Sequence, residues 1–219
     1  MKSQKLSGFA AFYLAASYII GIVIFLVVLD YPSITDPAQK MSLLIEQQGV
    51  IFWTNLLMYV FFGIVLIPLA LALYDLVKIE TPALAKVATI TGIIWAGSLV
   101  ASGMISNAAI TPLVDLYATD PAQAALTWQT IEIIGTNGIG NGNGEILGGV
   151  WTLLISVAAL RANRMPKALN YIGVVVGALG IASVIPGLTD LVGLFGIGHI
   201  VWYIWVGIFL LRMKKYYSI

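Results

Sequence analysis

The chain has 219 residues, of which 60% are hydrophobic and only 10% are charged, and its mean hydropathy is +0.97. Soluble domains carry about 25% charged residues, so this composition excludes one. It predicts an integral membrane protein whose residues 1–219 form a single transmembrane domain in the lipid bilayer. The net charge of +1 gives no reason to expect a nucleic-acid partner. Because the chain has no cysteine and a single histidine, His199, we expect no metal site and no cofactor.

Six apolar stretches predict an all-α, polytopic six-helix bundle. The predicted spans are residues 8–29, 50–74, 84–106, 145–162, 168–185 and 191–211. Most of them approach the ~20 residues that cross ~30 Å of hydrocarbon, and the fourth and fifth are the short ones. The first span follows Lys2 and Lys5, as a signal peptide would. Its apolar run is too long for a signal peptide, so we expect it to be retained as a span.

The distribution of basic residues predicts the orientation of the bundle. Every Lys and Arg except Lys40 falls in a segment that is cytoplasmic if the N-terminus is inside. The positive-inside rule therefore predicts a multi-pass protein of the plasma (inner) membrane with both termini in the cytoplasm. Most acidic residues fall in the outer segments, which makes the outer face electronegative.

Two outer connectors carry the same pentapeptide, Thr-Asp-Pro-Ala-Gln, which begins at Thr35 and again at Thr119. In each copy Asp suits the N-cap of a helix and Pro its first position. The pattern predicts two short extracytoplasmic surface helices, at about 37–48 and 121–134. Both a duplicated hairpin and two independent helix starts would give this pattern, so the two origins stay open.

A glycine- and asparagine-rich run, residues 135–149, leads into the fourth predicted span. It lacks the spacing of a dinucleotide-binding turn and the Lys-Ser/Thr pair of a phosphate-binding loop. One interpretation is a flexible outer loop, because Gly/Asn runs are ordinary loop chemistry. The other is non-helical backbone that lines a water-filled vestibule, where protein or water satisfies its polar groups.

Glu145 begins a stripe of small and hydroxylated residues on one face of the fourth span, which continues through Gly149, Thr152 and Ser156. Such a stripe is typical of close helix packing, and that interpretation is the simpler one. In the functional interpretation Glu145 lies at the outer mouth of a polar seam. A carboxylate near the hydrocarbon edge can bind a cation or relay a proton there.

His199 lies within the sixth span and shares a helix face with Trp202 and Tyr203. An ionisable residue inside a membrane span is a functional hypothesis by default. The alternative is a neutral histidine that hydrogen-bonds inside the bundle. The predicted ligand-binding set combines Glu145 and the three residues of this face with three further polar residues of the outer half. It comprises Glu145, His199, Asn55, Asn107, Glu132, Trp202 and Tyr203. We assign no catalytic residue.

Two segments resemble a family of prokaryotic six-span membrane proteins called domain of unknown function 4386. They are the run Leu-Ala-Leu-Tyr-Asp-Leu from Leu71, which closes the second span, and the exit of the fourth span from Arg161 through Met165 to Gly173. The long connector before the fourth span is also similar. The resemblance implies a six-helix bundle and brings no activity or functional residue with it.

Three hypotheses for function follow. The first is a non-enzymatic protein that binds or passes a small molecule, ion or lipid through an outward-facing polar cavity. The second is a membrane-embedded enzyme that acts on a lipid-like substrate with His199 and Glu145 as its acid–base pair. The third is an accessory subunit whose small-residue faces pack against a membrane partner or a second copy of the chain.

Overall fold

The structure is a computed structural model that describes residues 2–142 and 144–213. Asn143 of the glycine-rich run, and Lys214 and Lys215 of the basic residues, lie outside the described residues. Within the described ranges the chain is all-helical and contains no strand, as predicted. Nine α-helices occur there, in chain order: α1 (Lys2–Ile22), α2 (Pro37–Glu46), α3 (Gln48–Asn55), α4 (Phe62–Val77), α5 (Pro82–Tyr117), α6 (Pro121–Ile131), α7 (Ile146–Ala162), α8 (Lys167–Ala182) and α9 (Leu191–Arg212).

Three π-helical segments interrupt or extend these helices. They are Val23–Val28, which follows α1, Leu56–Phe61, which joins α3 to α4, and Glu132–Ile139, which follows α6. A short 3-10 turn, Tyr31–Ser33, precedes α2. A π-helix places one extra residue in a turn and is rare, so three such segments in the described residues are unusual.

Four helical stretches are long and apolar enough to cross a membrane: Gln4–Val28, Gln48–Val77, Pro82–Tyr117 and Leu191–Arg212. They indicate a multi-pass membrane protein, and they contain the first, second, third and sixth predicted spans. The fourth and fifth predicted spans are the shorter apolar helices α7, with 17 residues, and α8, with 16. At about 1.5 Å per residue these two helices are only ~25 Å long, so their crossing of the membrane stays a prediction.

The helix that contains the third predicted span is longer than the sequence indicates. Its apolar pattern ends near Ser106, but α5 continues to Tyr117 and includes Pro112. The polar side chain of Asn107 does not end the helix, because its amide nitrogen donates to the carbonyl of Phe52 at 3.1 Å and its oxygen accepts from Asn55 at 3.2 Å.

The described chain forms two compact units. Unit 1 comprises Met1–Ala16, Ile64–Ala96 and Gly144–Ile219, and unit 2 comprises Ser17–Gly63 and Gly97–Asn143. The helices α1 and α5 each contribute residues to both units.

In unit 1, α7 and α8 pack with their backbones in contact. A Cβ atom on Gly149 would lie 2.8 Å from the carbonyl oxygen of Gly177, and one on Gly177 would lie 2.5 Å from the amide nitrogen of Leu153. Only glycine permits such an approach, since any side chain would displace the facing backbone. Gly149 of the small-residue stripe therefore serves helix packing, although it faces α8, the fifth predicted span, and not the third.

In unit 2, α2 and α6 pack against each other over a small apolar core that includes Met41, Leu44 and Trp128. Both helices begin at the predicted caps. Asp36 accepts a hydrogen bond from the amide of Ala38, and Asp120 accepts one from the amide of Gln123. Because the caps satisfy amide groups that have no partner within the helix, each pentapeptide starts a helix as predicted.

The glycine-rich run is not simply a loop, as one interpretation held, nor non-helical backbone throughout, as the other held. Its first residues belong to the π-helical segment Glu132–Ile139, and a turn follows. The glycines permit close contact with α5. A Cβ on Gly135 would lie 3.3 Å from Ile105, and one on Gly140 would lie 2.5 Å from the Ser102 hydroxyl. Packing against α5 thus accounts for Gly135 and Gly140 of this run.

Candidate functional site

The predicted ligand-binding residues fall into both units. Glu145, His199, Trp202 and Tyr203 belong to unit 1, whereas Asn55, Asn107 and Glu132 belong to unit 2. Each group is therefore described with its own surroundings.

His199 is completely buried, and both of its ring nitrogens have hydrogen-bond partners. Nε2 lies 2.8 Å from the hydroxyl oxygen of Thr152, and Nδ1 lies 3.3 Å from the carbonyl oxygen of Phe195. The Thr152 hydroxyl is also 2.8 Å from the carbonyl of Gly148. Which ring nitrogen carries the proton depends on the direction in which the Thr152 hydroxyl donates. The bond to Thr152 links α9 to α7.

Aromatic rings surround His199 on several sides. Its ring centroid lies 4.2 Å from that of Phe195, 5.0 Å from that of Tyr203 and 6.0 Å from those of Trp95 and Trp202. Trp202 and Tyr203 are themselves fully buried. Buried aromatic rings at these separations contribute both apolar burial and favourable edge and face contacts. The three predicted residues of α9 thus form part of a packed aromatic core.

Glu145 is the N-cap residue of α7 and is only partly exposed. Its backbone amide donates to the Ser183 hydroxyl at 3.0 Å, which ties the start of α7 to the end of α8. Its carboxyl group interacts with the side chain of Trp95, and Oε2 has no hydrogen-bond partner among the described residues.

In unit 2, Asn55 and Asn107 are joined directly. The amide nitrogen of Asn55 donates to the side-chain oxygen of Asn107 at 3.2 Å. Asn55 is 5% exposed, so this bond satisfies a polar group inside the protein. The bond holds α3 against the middle of α5.

Glu132 takes part in an ion pair and accepts a further hydrogen bond. Its carboxylate accepts two hydrogen bonds from the Lys40 ammonium, at 3.3 Å to Oε1 and 3.2 Å to Oε2, and one from the Tyr31 hydroxyl. The side chains of Lys40 and Glu132 are 24% and 13% exposed, so water screens this ion pair only in part. Three short elements, namely the 3-10 turn, α2 and the third π-helical segment, meet at this carboxylate.

Local backbone structure positions Tyr31 so that its hydroxyl can donate to Glu132. Asp30 has a φ of 44°, in the left-handed region that aspartate tolerates better than most residues, and Pro32 then supports the 3-10 turn. The Tyr31 hydroxyl accepts a hydrogen bond of 3.2 Å from the Trp128 indole, and its ring lies edge to face with Phe25 at 5.8 Å. Burial, and after it the negative charge of Glu132, raises the pKa of the Tyr31 hydroxyl well above its ordinary value.

These residues border a cavity of about 290 Å³ within unit 2. Both Glu132 and Asn55 line it, so the cavity brings two of the predicted residues together. The full lining comprises Phe25, Tyr31, Pro32, Lys40, Ile51, Asn55, Tyr59, Ser106, Trp128, Glu132, Thr136 and Asn137. Aromatic and aliphatic walls thus enclose a few polar groups, which is the usual composition of a small-molecule site.

All three π-helical segments contribute to this lining. The first supplies Phe25, the second supplies Tyr59, and the third supplies Glu132, Thr136 and Asn137. Since a π-helical turn carries an extra residue, it directs side chains away from the positions that a regular helix would give them. The irregular backbone of unit 2 is therefore concentrated around one cavity.

The family profile described as domain of unknown function (DUF4386) matches residues 10–213 of this chain. The chain belongs to this family. The match extends from α1 to the end of α9, so both units lie within it. No curated protein and no solved structure matches this DUF4386 chain. The resemblance of the two short segments is thereby confirmed.

Sequence reasoning missed several residues of the cavity in this DUF4386 protein, above all Tyr31 and Lys40. One signal pointed to Lys40, because it is the one basic residue of the predicted outer segments. An isolated cation among carboxylates often has a specific partner. Its partner Glu132 lies 92 residues away in sequence, so no local pattern could have identified the pair.

Proposed function

We propose that this protein is a ligand-binding membrane protein whose binding site is the cavity of unit 2. In this proposal six helices, including α7 and α8, cross the plasma membrane, and both termini are cytoplasmic. The observation that carries it is the convergence of three π-helical segments and one ion pair on a single cavity. The ligand is a small molecule, an ion or a small lipid fragment.

The rarity of π-helices supports this choice of site. They make up well under 1% of residues in proteins, and single π-helical turns are found frequently at functional sites. Three such segments around one cavity are best explained by the need to place lining side chains such as Tyr59 and Asn137.

The dimensions and lining of the cavity indicate the kind of ligand. Ligand pockets commonly range over ~300–1,000 Å³, so a volume of about 290 Å³ suits a small molecule. The walls provide rings from Tyr31, Tyr59 and Trp128 together with hydroxyl and amide groups from Ser106 and Asn137. A compact ligand with one polar end and one apolar part would satisfy both kinds of surface.

The proposed orientation rests on charge. Lys40 is the one Lys or Arg in the sequence of unit 2, and all others belong to unit 1. The positive-inside rule then supports an extracytoplasmic location for α2 and α6. Because Lys40 of α2 and Trp128 of α6 line the cavity, the ligand would arrive from outside the cell.

The enzyme hypothesis receives less support from the contacts of His199. A general base needs a nitrogen within reach of its substrate, whereas this ring is enclosed by aromatic side chains and bonded to Thr152 and Phe195. The cavity of unit 2 contains no histidine, and its carboxylate is already held by Lys40. We therefore assign binding rather than catalysis.

The test is a stabilisation screen of the purified protein with small cationic, anionic, zwitterionic and neutral compounds. Two variants accompany wild type: Ser106→Leu, which fills the cavity, and Ala108→Leu, which adds the same side chain at an exposed position of α5. At least one chemical class should raise the melting temperature of wild type and Ala108→Leu but not of Ser106→Leu. If no class does so, or if all three proteins respond alike, the proposed site is wrong.

A further inference from the structure

The Lys40 ammonium occupies a well-defined position in the cavity wall. It donates to both oxygens of Glu132, and it lies 4.7 Å from the centroid of the Tyr31 ring, over its face. A carboxylate and an aromatic face are the two groups that proteins combine to bind organic cations. The structure therefore already contains an ammonium-binding position, and a side chain of the same chain fills it.

The groups that form this position are held independently of Lys40. Tyr31 is fixed by the Trp128 indole and by the edge-to-face contact with Phe25. Glu132 is fixed by the Tyr31 hydroxyl. If the ammonium of Lys40 left, the carboxylate and the ring would keep their places and would face the cavity.

Lys40 is the component best suited to leave. It lies on the surface helix α2, and its side chain is more exposed than that of Glu132, at 24% against 13%. Its ammonium is a strongly hydrated charge on a flexible stem of four carbons. Its movement from the ion pair into water therefore costs little free energy. The carboxylate is the more buried of the two groups, so water can replace its partner less readily.

The charge of unit 2 also favours a cation over an anion. Its acidic residues are Asp30, Asp36, Glu46, Asp115, Asp120 and Glu132, against Lys40 as its one basic residue. An excess of one charge around a cavity raises the local concentration of ligands with the opposite charge.

We propose that the cavity binds a small primary amine, whose ammonium group displaces that of Lys40 between Glu132 and the Tyr31 ring. The remainder of the amine lies in the cavity, where Asn55, Ser106 and Asn137 offer uncharged polar contacts. Lys40 acts as a tethered occupant that keeps Glu132 paired when no amine is present. This inference rests on the proposed binding function and specifies its ligand class.

The experiment measures melting temperature against rising concentrations of propylammonium, with 1-propanol as the uncharged probe of similar shape and constant ionic strength. Lys40→Ala removes the tethered competitor, so propylammonium should bind this variant at least about tenfold more tightly than wild type. It should also restore the stability that the substitution costs. In the double variant Lys40→Ala/Glu132→Gln the response to propylammonium should disappear, and 1-propanol should stabilise none of the proteins.

Lys78 supplies a matched control elsewhere in the chain. Its ammonium pairs with Asp75 at 2.5 Å and lies 5.5 Å from the Tyr74 ring, but the side chains of Lys78 and Asp75 are exposed. Lys78→Ala should therefore respond to propylammonium as wild type does. If Lys40→Ala does not fold, Lys40→Arg provides the same test, because a guanidinium holds the carboxylate through two bonds and should weaken the response below that of wild type.

The outcomes separate this inference from the proposed function. Equal responses to propylammonium and 1-propanol, or a response that survives in the double variant, would overturn the amine assignment. If propylammonium fails on every protein while another compound still stabilises wild type and not Ser106→Leu, the amine is wrong and the cavity remains the binding site. If no compound of any class distinguishes Ser106→Leu from wild type, both proposals fail.

Discussion

The Lys40 ammonium lies 3.2 Å from Oε2 of Glu132, although 92 residues separate them in sequence. This ion pair joins α2 to the π-helical segment that follows α6, and it lies in the wall of the cavity in unit 2. Because the pair is largely shielded from water, its removal should lower the free energy of unfolding more than the removal of a surface pair.

Glu132→Gln should lower the free energy of unfolding by about 1–3 kcal/mol, because it leaves the Lys40 ammonium and the Tyr31 hydroxyl without their carboxylate. Unfolding by denaturant in detergent micelles measures this loss. Asp75→Asn is the control, since Asp75 and Lys78 form an exposed pair and its loss should have no measurable effect. Equal losses in the two variants would show that the Lys40–Glu132 pair has no special role.

The stabilising effect of the Tyr31 hydroxyl should decrease only at high pH. Burial and Glu132 raise the pKa of Tyr31 above its ordinary value of 10.0, so the folded state favours the neutral hydroxyl. The contribution is complete below that ordinary pKa and is lost as pH rises above it. The stability difference between wild type and Tyr31→Phe should thus stay constant up to about pH 9 and narrow above about pH 10. A difference that varies between about pH 6 and 8 would point to another group.

Gly177→Ala should destabilise unit 1 by about 1–3 kcal/mol, because the added Cβ would lie 2.5 Å from the backbone nitrogen of Leu153. Gly193→Ala, in α9, is the matched control, since no atom lies within 4 Å of the Cβ it would add. Thermal unfolding of the two variants side by side measures the difference. If Gly177→Ala is as stable as Gly193→Ala, the contact between α7 and α8 is looser than described.

Thr152→Val should cost about 1–3 kcal/mol, because it removes the hydroxyl partner of the buried His199 ring. Thr91→Val is the control. Both threonines bond the carbonyl four residues before them in a helix, but Thr91 is more exposed and has no histidine partner in the hydrogen bonds described. The measurement is again the free energy of unfolding. A large loss of stability in Thr152→Val with unaltered amine response would place His199 in the core and outside the ligand site.

The orientation can be tested with single cysteines, because the chain has none of its own. Ser42→Cys lies at a partly exposed position of α2, and Ile79→Cys lies in the exposed turn after α4. A membrane-impermeant thiol reagent applied to intact cells should label Ser42→Cys and leave Ile79→Cys unmodified. The reverse pattern would invert the topology and place the cavity on the cytoplasmic side.

The sequence predicted the features that depend on neighbouring residues. The caps Asp36 and Asp120 and the four long apolar helices follow from local chemistry and hydropathy, which act within a few residues. The π-helical backbone around Gly135 could not be predicted, because it depends on the fit of glycines against Ile105 and Ser102 of α5.

In the candidate site, too, the sequence predicted some residues and not others. Glu132 and Asn55 were identified because polar residues near apolar spans are conspicuous, and both line the cavity. Their partners Lys40 and Tyr31 are distant in sequence, and only the fold brings them together. His199 was expected inside a helical span and is fully buried there, but its hydrogen bond with the Thr152 hydroxyl could not be predicted from the sequence.

The most direct test of the central claim is the accessibility of the cavity itself. Thr136→Cys places a thiol in the cavity lining, and Thr130→Cys places one on the exposed face of α6. The measurement is the rate at which a small methanethiosulfonate reagent modifies each thiol, with and without propylammonium. The account predicts that both thiols react and that propylammonium slows only Thr136→Cys. A Thr136→Cys thiol that does not react, or that reacts equally fast with the amine present, would contradict it.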